Sequence, residues 1–197
     1  MKNLHRTDLR SWSAFDVERD IDFNAVAWIR EGSNVLFDPL PMSQSDLAQL
    51  RELGGAARIV VTNSDHTRAS EDLAKVFGAV LYGPRAEQSG FPIACDEWLG
   101  EGDEIVPGLR VLELHGSKTP GELALLLDDS TLITGDLVRG QRGGSLNLLP
   151  EPKLSDPAAA NASVARLAGL PGIDAVLVGD GWPIFDGGSL ALRKLCT

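Results

Sequence analysis

Ile59-Val60-Val61-Thr62-Asn63-Ser64-Asp65-His66-Thr67-Arg68 passes from a buried-type strand straight into a turn crowded with polar side chains. Residues 58–61 read as the strand, and a helical pattern over 69–77, closed by Gly78, follows the turn at once. In α/β folds the loop beyond a strand's carboxyl end lies outside the sheet, in a crevice. The polar side chains of this turn are therefore expected to face a cavity.

Outward from this stretch the chain alternates between two kinds of pattern. Residues 22–30 and 35–37 read as a hairpin around the tight turn 31–34, stopped by Asp38-Pro39-Leu40-Pro41. Asp38 is either a carboxylate that orients the site loop or a plain turn former, since Asp before Pro commonly starts a turn. Residues 43–53 form an amphipathic helix capped by Ser43 or Ser45, and the short apolar run 79–82 reads as a second parallel strand. Residues 84–98 are irregular, expected as a loop or short helix. Three strands, 109–114, 122–127 and 131–134, are expected to pair antiparallel; a helix over 157–167 with Asp156 as cap, a buried strand over 174–178 and a terminal helix over 187–195 complete the pattern. Strands, α/β alternation, strands and α/β again imply two packed mixed sheets with helices outside, an α+β fold in one domain over residues 1–197.

Composition excludes several functions. The formal charge of −10 lacks the basic footprint that nucleic acid requires, so no nucleic-acid partner is expected. No run of eighteen apolar residues and no basic-then-apolar leader stands in the sequence, so the expectation is a cytoplasmic protein with no membrane partner. Cys95 and Cys196 lack C-x-x-C spacing, so they read as idle thiols rather than a structural zinc or redox pair.

The quoted stretch resembles the metallo-β-lactamase superfamily motif T-H-x-H-x-D-H, with Thr62 at the threonine and Asn63, Asp65, Thr67 and Arg68 at the ligand positions. Further landmarks come in the family's order. His115-Gly116-Ser117-Lys118-Thr119-Pro120-Gly121 is similar to G-H-T-x-G-S with one extra residue, and Ser117 stands at its histidine; Ile133-Thr134-Gly135-Asp136 matches the strand end whose aspartate bridges two metals; Gly179-Asp180-Gly181 matches G-H-G with Asp180 at the histidine. The resemblance covers roughly residues 24–195 and implies an αββα sandwich, with a small-molecule substrate cleaved at an ester, thioester, lactone or phosphoester bond.

The implied site differs from a two-zinc centre, which is built from neutral imidazoles and a few carboxylates. Asp65, Asp136 and Asp180 would repel one another unless something positive lies among them. No metal cofactor is expected: Arg68, facing Asp136 and Asp180 with a bidentate fork, and Lys118, reaching Asp65 or Asp136, would replace the ions. The alternative is Mg²⁺ or Mn²⁺ on Asn63, Asp65, Asp136 and Asp180, with His66 or His115 lending a nitrogen. Asp65, His66, Arg68, Lys118 and Asp136 are the expected catalytic set, with His66 or Asp65 as base, while Asn63, Ser117 and Asp180 are expected to contact substrate. Trp182 is expected to pack against the following helix, and the basic segment 139–144 to be a solvated loop. The competing class is a metal-free, non-catalytic ligand-binding or regulatory member of the fold.

Overall fold

A computed structural model describes residues 1–196. One sheet runs in chain order: β1 (Lys2–Asn3), β2 (Leu9–Asp16), β3 (Ile21–Trp28), β4 (Val35–Phe37), β5 (Arg58–Val60), β6 (Val80–Pro84) and β7 (Glu97–Leu99). The strands from β1 to β4 pair antiparallel, and those from β4 to β7 pair parallel. The second sheet contains β8 (Glu104–Val106), β9 (Leu109–Glu113), β10 (Leu123–Leu127), β11 (Thr131–Thr134) and, parallel to β11, a last strand at Ala175–Val178. A two-stranded ribbon, β12 (Val138–Arg142) with β13 (Ser145–Leu148), precedes that last strand, β14.

Side-chain alternation along the strands builds three cores. Val26, Trp28, Phe37 and Val60 of the first sheet meet Leu109, Val111, Leu123, Leu125 and Leu127 of the second in the central layer. The next residues along the same strands, Ala25, Ala27, Leu36 and Ile59, face outward onto Leu50 of α1 (Gln44–Glu52) and Leu73 of α2 (Ser70–Phe77). On the far side Leu112, Ala124 and Leu126 pack against Val164 and Leu167 of α3 (Pro157–Ala168) and Leu192 of α4 (Gly188–Arg193). A period of two therefore gives each strand two apolar faces, and the αββα layering follows. Each fully buried leucine contributes roughly 1.5–3 kcal/mol.

Local signals act as the sequence implies. Ser43 accepts from the Asp46 N–H to cap α1, and Asp156 accepts from the Ala158 and Ala159 N–H groups ahead of Pro157 to cap α3. Residues 84–98 hold the expected short helix, a 3₁₀ turn at Arg85–Gly90, and beyond expectation they also open edge strand β7. One segment differs outright. The expected solvated loop 139–144 is largely β12, because Gly143 and Gly144 close a hairpin that pairs Arg142 with Ser145. Among the described residues no helix is long and apolar enough to cross a membrane.

Candidate functional site

Four site carboxylates or imidazoles stand just beyond the ends of strands that run parallel to a neighbour: Asp38 after β4, His66 after β5, Asp136 after β11 and Asp180 after β14. Asn24 of β3 ties the sheets together at this edge, donating through Nδ2 to the Val178 carbonyl at 3.1 Å and the Gly181 carbonyl at 2.7 Å. The edge opens as a cavity of about 440 Å³ whose wall includes Asp65, His66, Arg68, Lys118, Asp136 and Asp180.

His66 is the centre of the cluster, and its position follows from the turn. Asn63 caps the 3₁₀ turn Ser64–His66 by accepting from the Asp65 N–H at 3.0 Å, which swings the third residue inward. The imidazole is buried, with 6 % of its side chain exposed. Its Nδ1 donates to Asp38 Oδ2 at 2.9 Å, and its Nε2 faces Asp136 Oδ1 at 3.5 Å and Asp180 Oδ1 at 3.9 Å. Asp38 is locked in turn by the Thr62 N–H at 2.7 Å and the Thr62 hydroxyl at 2.6 Å. Of the two roles open to Asp38, the structure therefore shows the orienting one, in a left-handed backbone with φ of +44°. Gly179 is required beside the ring: a Cβ there would come within 2.8 Å of His66 Cε1.

Electrostatics follows from this packing. Burial acts to lower the His66 pKa, but Asp38 and Asp136 outweigh it and raise it to about 10, against an opposing push from Arg68. The ring is a buried imidazolium at neutral pH. Burial likewise acts to raise Asp136, yet His66, with Lys118 and Arg139, holds its carboxyl well below the usual carboxylate range.

The cations fall differently from expectation. Arg68, also left-handed with φ of +39°, donates through Nη1 to the carbonyls of Asn24 at 2.6 Å and Asp38 at 3.1 Å, and through Nη2 to that of Gly179 at 3.4 Å. It approaches Asp180 only at 3.5 Å, so the expected bidentate fork on Asp136 and Asp180 is not formed. A guanidinium that carries five N–H donors instead rivets three backbone segments. Arg139 supplies the direct ion pair to Asp180, with a side chain only 11 % exposed rather than solvated. Lys118 pairs with Asp65 and lies 3.5 Å from Asp136 Oδ2, with its pKa raised because these carboxylates outweigh the effect of burial.

Asn63 and Ser117, expected at the substrate, are fully buried and do not line the cavity. Ser117 donates to Glu122 Oε2, a residue whose role the sequence reading missed. Glu122 is fully buried and accepts from the N–H groups of Asp136 at 2.7 Å and Leu137 at 2.8 Å, so it clamps the loop of Lys118 to the turn of Asp136. Burial, then Asp136, raises its pKa to about 7 against these donors. A charged residue opening the wholly apolar run Leu123–Leu127 was the available signal, because such a group must find partners. Trp182 is 59 % exposed and neither packs inward nor lines the cavity.

A family model described as the metallo-beta-lactamase superfamily matches residues 1–197. The chain belongs to the metallo-beta-lactamase superfamily. Solved structures of that fold superpose closely. A metallo-beta-lactamase from Pontibacter korlensis gives a TM-score of 0.76 at 14 % identity, covering 95 % of this chain and 93 % of the other. DIM-1 metallo-beta-lactamase gives 0.75 at 15 %, covering 97 % and 92 %. A metallo-beta-lactamase family protein from Thermus thermophilus gives 0.71 at 19 %, covering 96 % and 78 %. Comparison with curated proteins gives no match.

Within this superfamily fold, the donor chemistry here does not fit the two-zinc set. The positions that the resemblance assigns to ligands carry no imidazole. Of the oxygen-ligand alternative, Asn63 stands outside the cavity wall and Asp65 is joined to Lys118, while Asp136, Asp180 and the His66 nitrogen do come together. Among the described residues one group has donor atoms within 4.8 Å of one another, His66, Asp136 and Asp180. Its atoms already face Arg68, Lys118 and Arg139.

Proposed function

We propose that this protein is a metal-independent hydrolase of a small ester, thioester, lactone or phosphoester. The cations of the site carry this reading: Asp38, Asp65, Asp136 and Asp180 face four positive groups, His66, Arg68, Lys118 and Arg139, with the Glu122 carboxyl, raised to about 7, buried behind Asp136. A dication added among these side chains would be repelled by Arg68, Lys118 and Arg139 at short range. His66, Arg68, Lys118 and Arg139 take the electrostatic place of metal.

The roles follow from accessibility and proton affinity. His66, charged at neutral pH and turned to carboxylates on both sides, is a fixed cation and not the base. Asp136 is held ionised too firmly to take a proton. Asp65, whose side chain is 46 % exposed beside Lys118, is left as the base. Water attacks the acyl carbon or phosphorus as its proton passes to Asp65. The negative oxygen that develops is met by the ammonium of Lys118, and on collapse the alkoxide or thiolate leaves with the proton that Asp65 returns.

The test is turnover of activated esters, thioesters, lactones and phosphoesters by protein purified in chelator. Hydrolysis that persists in chelator is expected, and activity that appears only with added metal would overturn the metal-free mechanism. The second reading, a ligand-binding member of the fold, is favoured by one observation: among the described residues of the cavity wall, the exposed carboxylate offered as base, Asp65, is itself ion-paired. Silence across the whole panel, with and without metal, would favour it.

A further inference from the structure

Deep in the cavity the cations are paired with its own carboxylates, but at its mouth they are not. In a chain of formal charge −10, the wall contains five Arg or Lys residues against three Asp. Arg68, Lys118 and Arg139 are each engaged with these carboxylates. The two left over are Arg19, in the turn between β2 and β3, and Lys153, in the 3₁₀ turn Glu151–Lys153; both are exposed. Arg19 has only a 3.9 Å approach to Asp16 and a loose stack over Phe23, 5.6 Å from the ring centroid. Among the described residues Lys153 has no ion-pair or side-chain hydrogen-bond partner. Ile21, Phe23, Leu40 and Leu149 supply an apolar wall to the same cavity.

Lys153, without an ion-pair partner among the described residues, and Arg19, held only by a long, exposed pair to Asp16, stand beside an apolar wall in an otherwise acidic protein and make a local anion trap. We infer that the substrate carries a second, non-reacting carboxylate or phosphate group, held at the mouth by Arg19 and Lys153 while its reacting bond lies against Lys118. The placing of the reacting bond rests on the hydrolase reading; the anion site stands without it. The apolar wall suits a short hydrocarbon spacer between the two groups, so the class is a small organic anion, such as the half-ester or half-thioester of a dicarboxylic acid or a phosphorylated ester. A polyanion is excluded by the overall acidic charge.

Calorimetric titration with succinate, inorganic phosphate and the neutral analogue succinamide tests the site, in the native protein and in an Arg19→Gln/Lys153→Gln double variant. Both changes are on exposed side chains, so the variant is expected to fold. At least one anion should bind about tenfold or more tightly than succinamide, and the double variant should lose about tenfold, as for charges that steer and hold a ligand. Binding of succinate alone assigns a carboxylate, and of phosphate alone a phosphate. Succinamide binding as well as both anions, an unchanged affinity in the double variant, or no anion binding in the millimolar range would overturn the inference. Hydrolysis separates the two readings. If anions bind as expected but neither nitrophenyl acetate nor nitrophenyl hemisuccinate is cleaved, the hydrolase reading fails and the anion site remains; if the acetate is cleaved as well as or better than the hemisuccinate, the hydrolase reading stands and the inference that the substrate carries a second anionic group is overturned.

Discussion

The loop after β5 and the loop after β9 meet at one cavity, yet they handle charge in opposite ways. His66 is 4 % exposed with both ring nitrogens turned to carboxylates, whereas Lys118 keeps 40 % of its side chain in solvent beside a half-open Asp65. A buried charge is tolerable only when paired and hydrogen-bonded, so the inner loop must be complete before any ligand arrives. An exposed pair contributes little to stability and can be parted at little cost. The inner cluster therefore belongs to the fold, and the outer pair is the one we propose for the chemistry.

The largest effect should come from breaking the inner cluster. His66→Ala strands Asp38 and Asp136, each nearly solvent-free, and should cost about 3–5 kcal/mol in denaturant unfolding. A loss under about 1 kcal/mol would put the ring among exposed, weakly coupled charges. Lys118→Ala should do the opposite, lowering hydrolysis by about a hundredfold, the typical loss for one oxyanion donor, while the melting temperature hardly moves. A variant equally impaired in stability would erase the distinction between the two loops.

The pH dependence sharpens the same contrast. The folded-state pKa of His66 is raised from 6.5 to about 10, so its contribution is full below 6.5 and is lost as pH rises through 10. Glu122, raised from 4.5 to about 7, likewise gives up its contribution as pH rises from 4.5 through 7. Asp136 works the other way: its pKa is depressed, so its contribution is present above 3.8 and lost on acidification. The wild type should thus lose stability between pH 6.5 and 10, and His66→Gln should lose distinctly less over the same interval. Parallel slopes would show that the ring is not the titrating group.

The smallest effect is expected from chelator. With protein cations at the site, prolonged chelation should leave the melting temperature unchanged, because nothing that stabilises the folded state is removed. A fall restored by one metal would give the cluster of His66, Asp136 and Asp180 a resident ion.

Much of the fold was legible because apolar periodicity and ordered landmarks are one-dimensional signals. The strand into Asn63–Arg68, the Gly135-Asp136 turn and the Gly179-Asp180 turn all fall at strand ends on one edge. The direction of a turn side chain carries no such period. Asn63 and Ser117 therefore read as cavity-facing although their hydrogen bonds turn them inward, to the Asp65 N–H and to Glu122. Arg139 read as solvated because its glycine-rich neighbours suggest a loop, yet pairing with β13 stiffens the segment and aims the guanidinium at Asp180. Arg68 read as a bidentate partner of Asp136 and Asp180; it does reach Asp180 at 3.5 Å, but its left-handed backbone brings three carbonyls closer. Such choices depend on which partner lies nearest in space, which only the assembled edge decides.

The protonation of His66 tests the central claim most directly. Nitrogen NMR of the imidazole at about pH 8, between the ordinary 6.5 and the raised value of about 10, reports both ring nitrogens separately. In chelator-treated protein the account predicts two protonated nitrogens, the signature of an imidazolium standing in for metal charge. An unprotonated Nε2 at that pH, free or shifted by a bound ion, would contradict it.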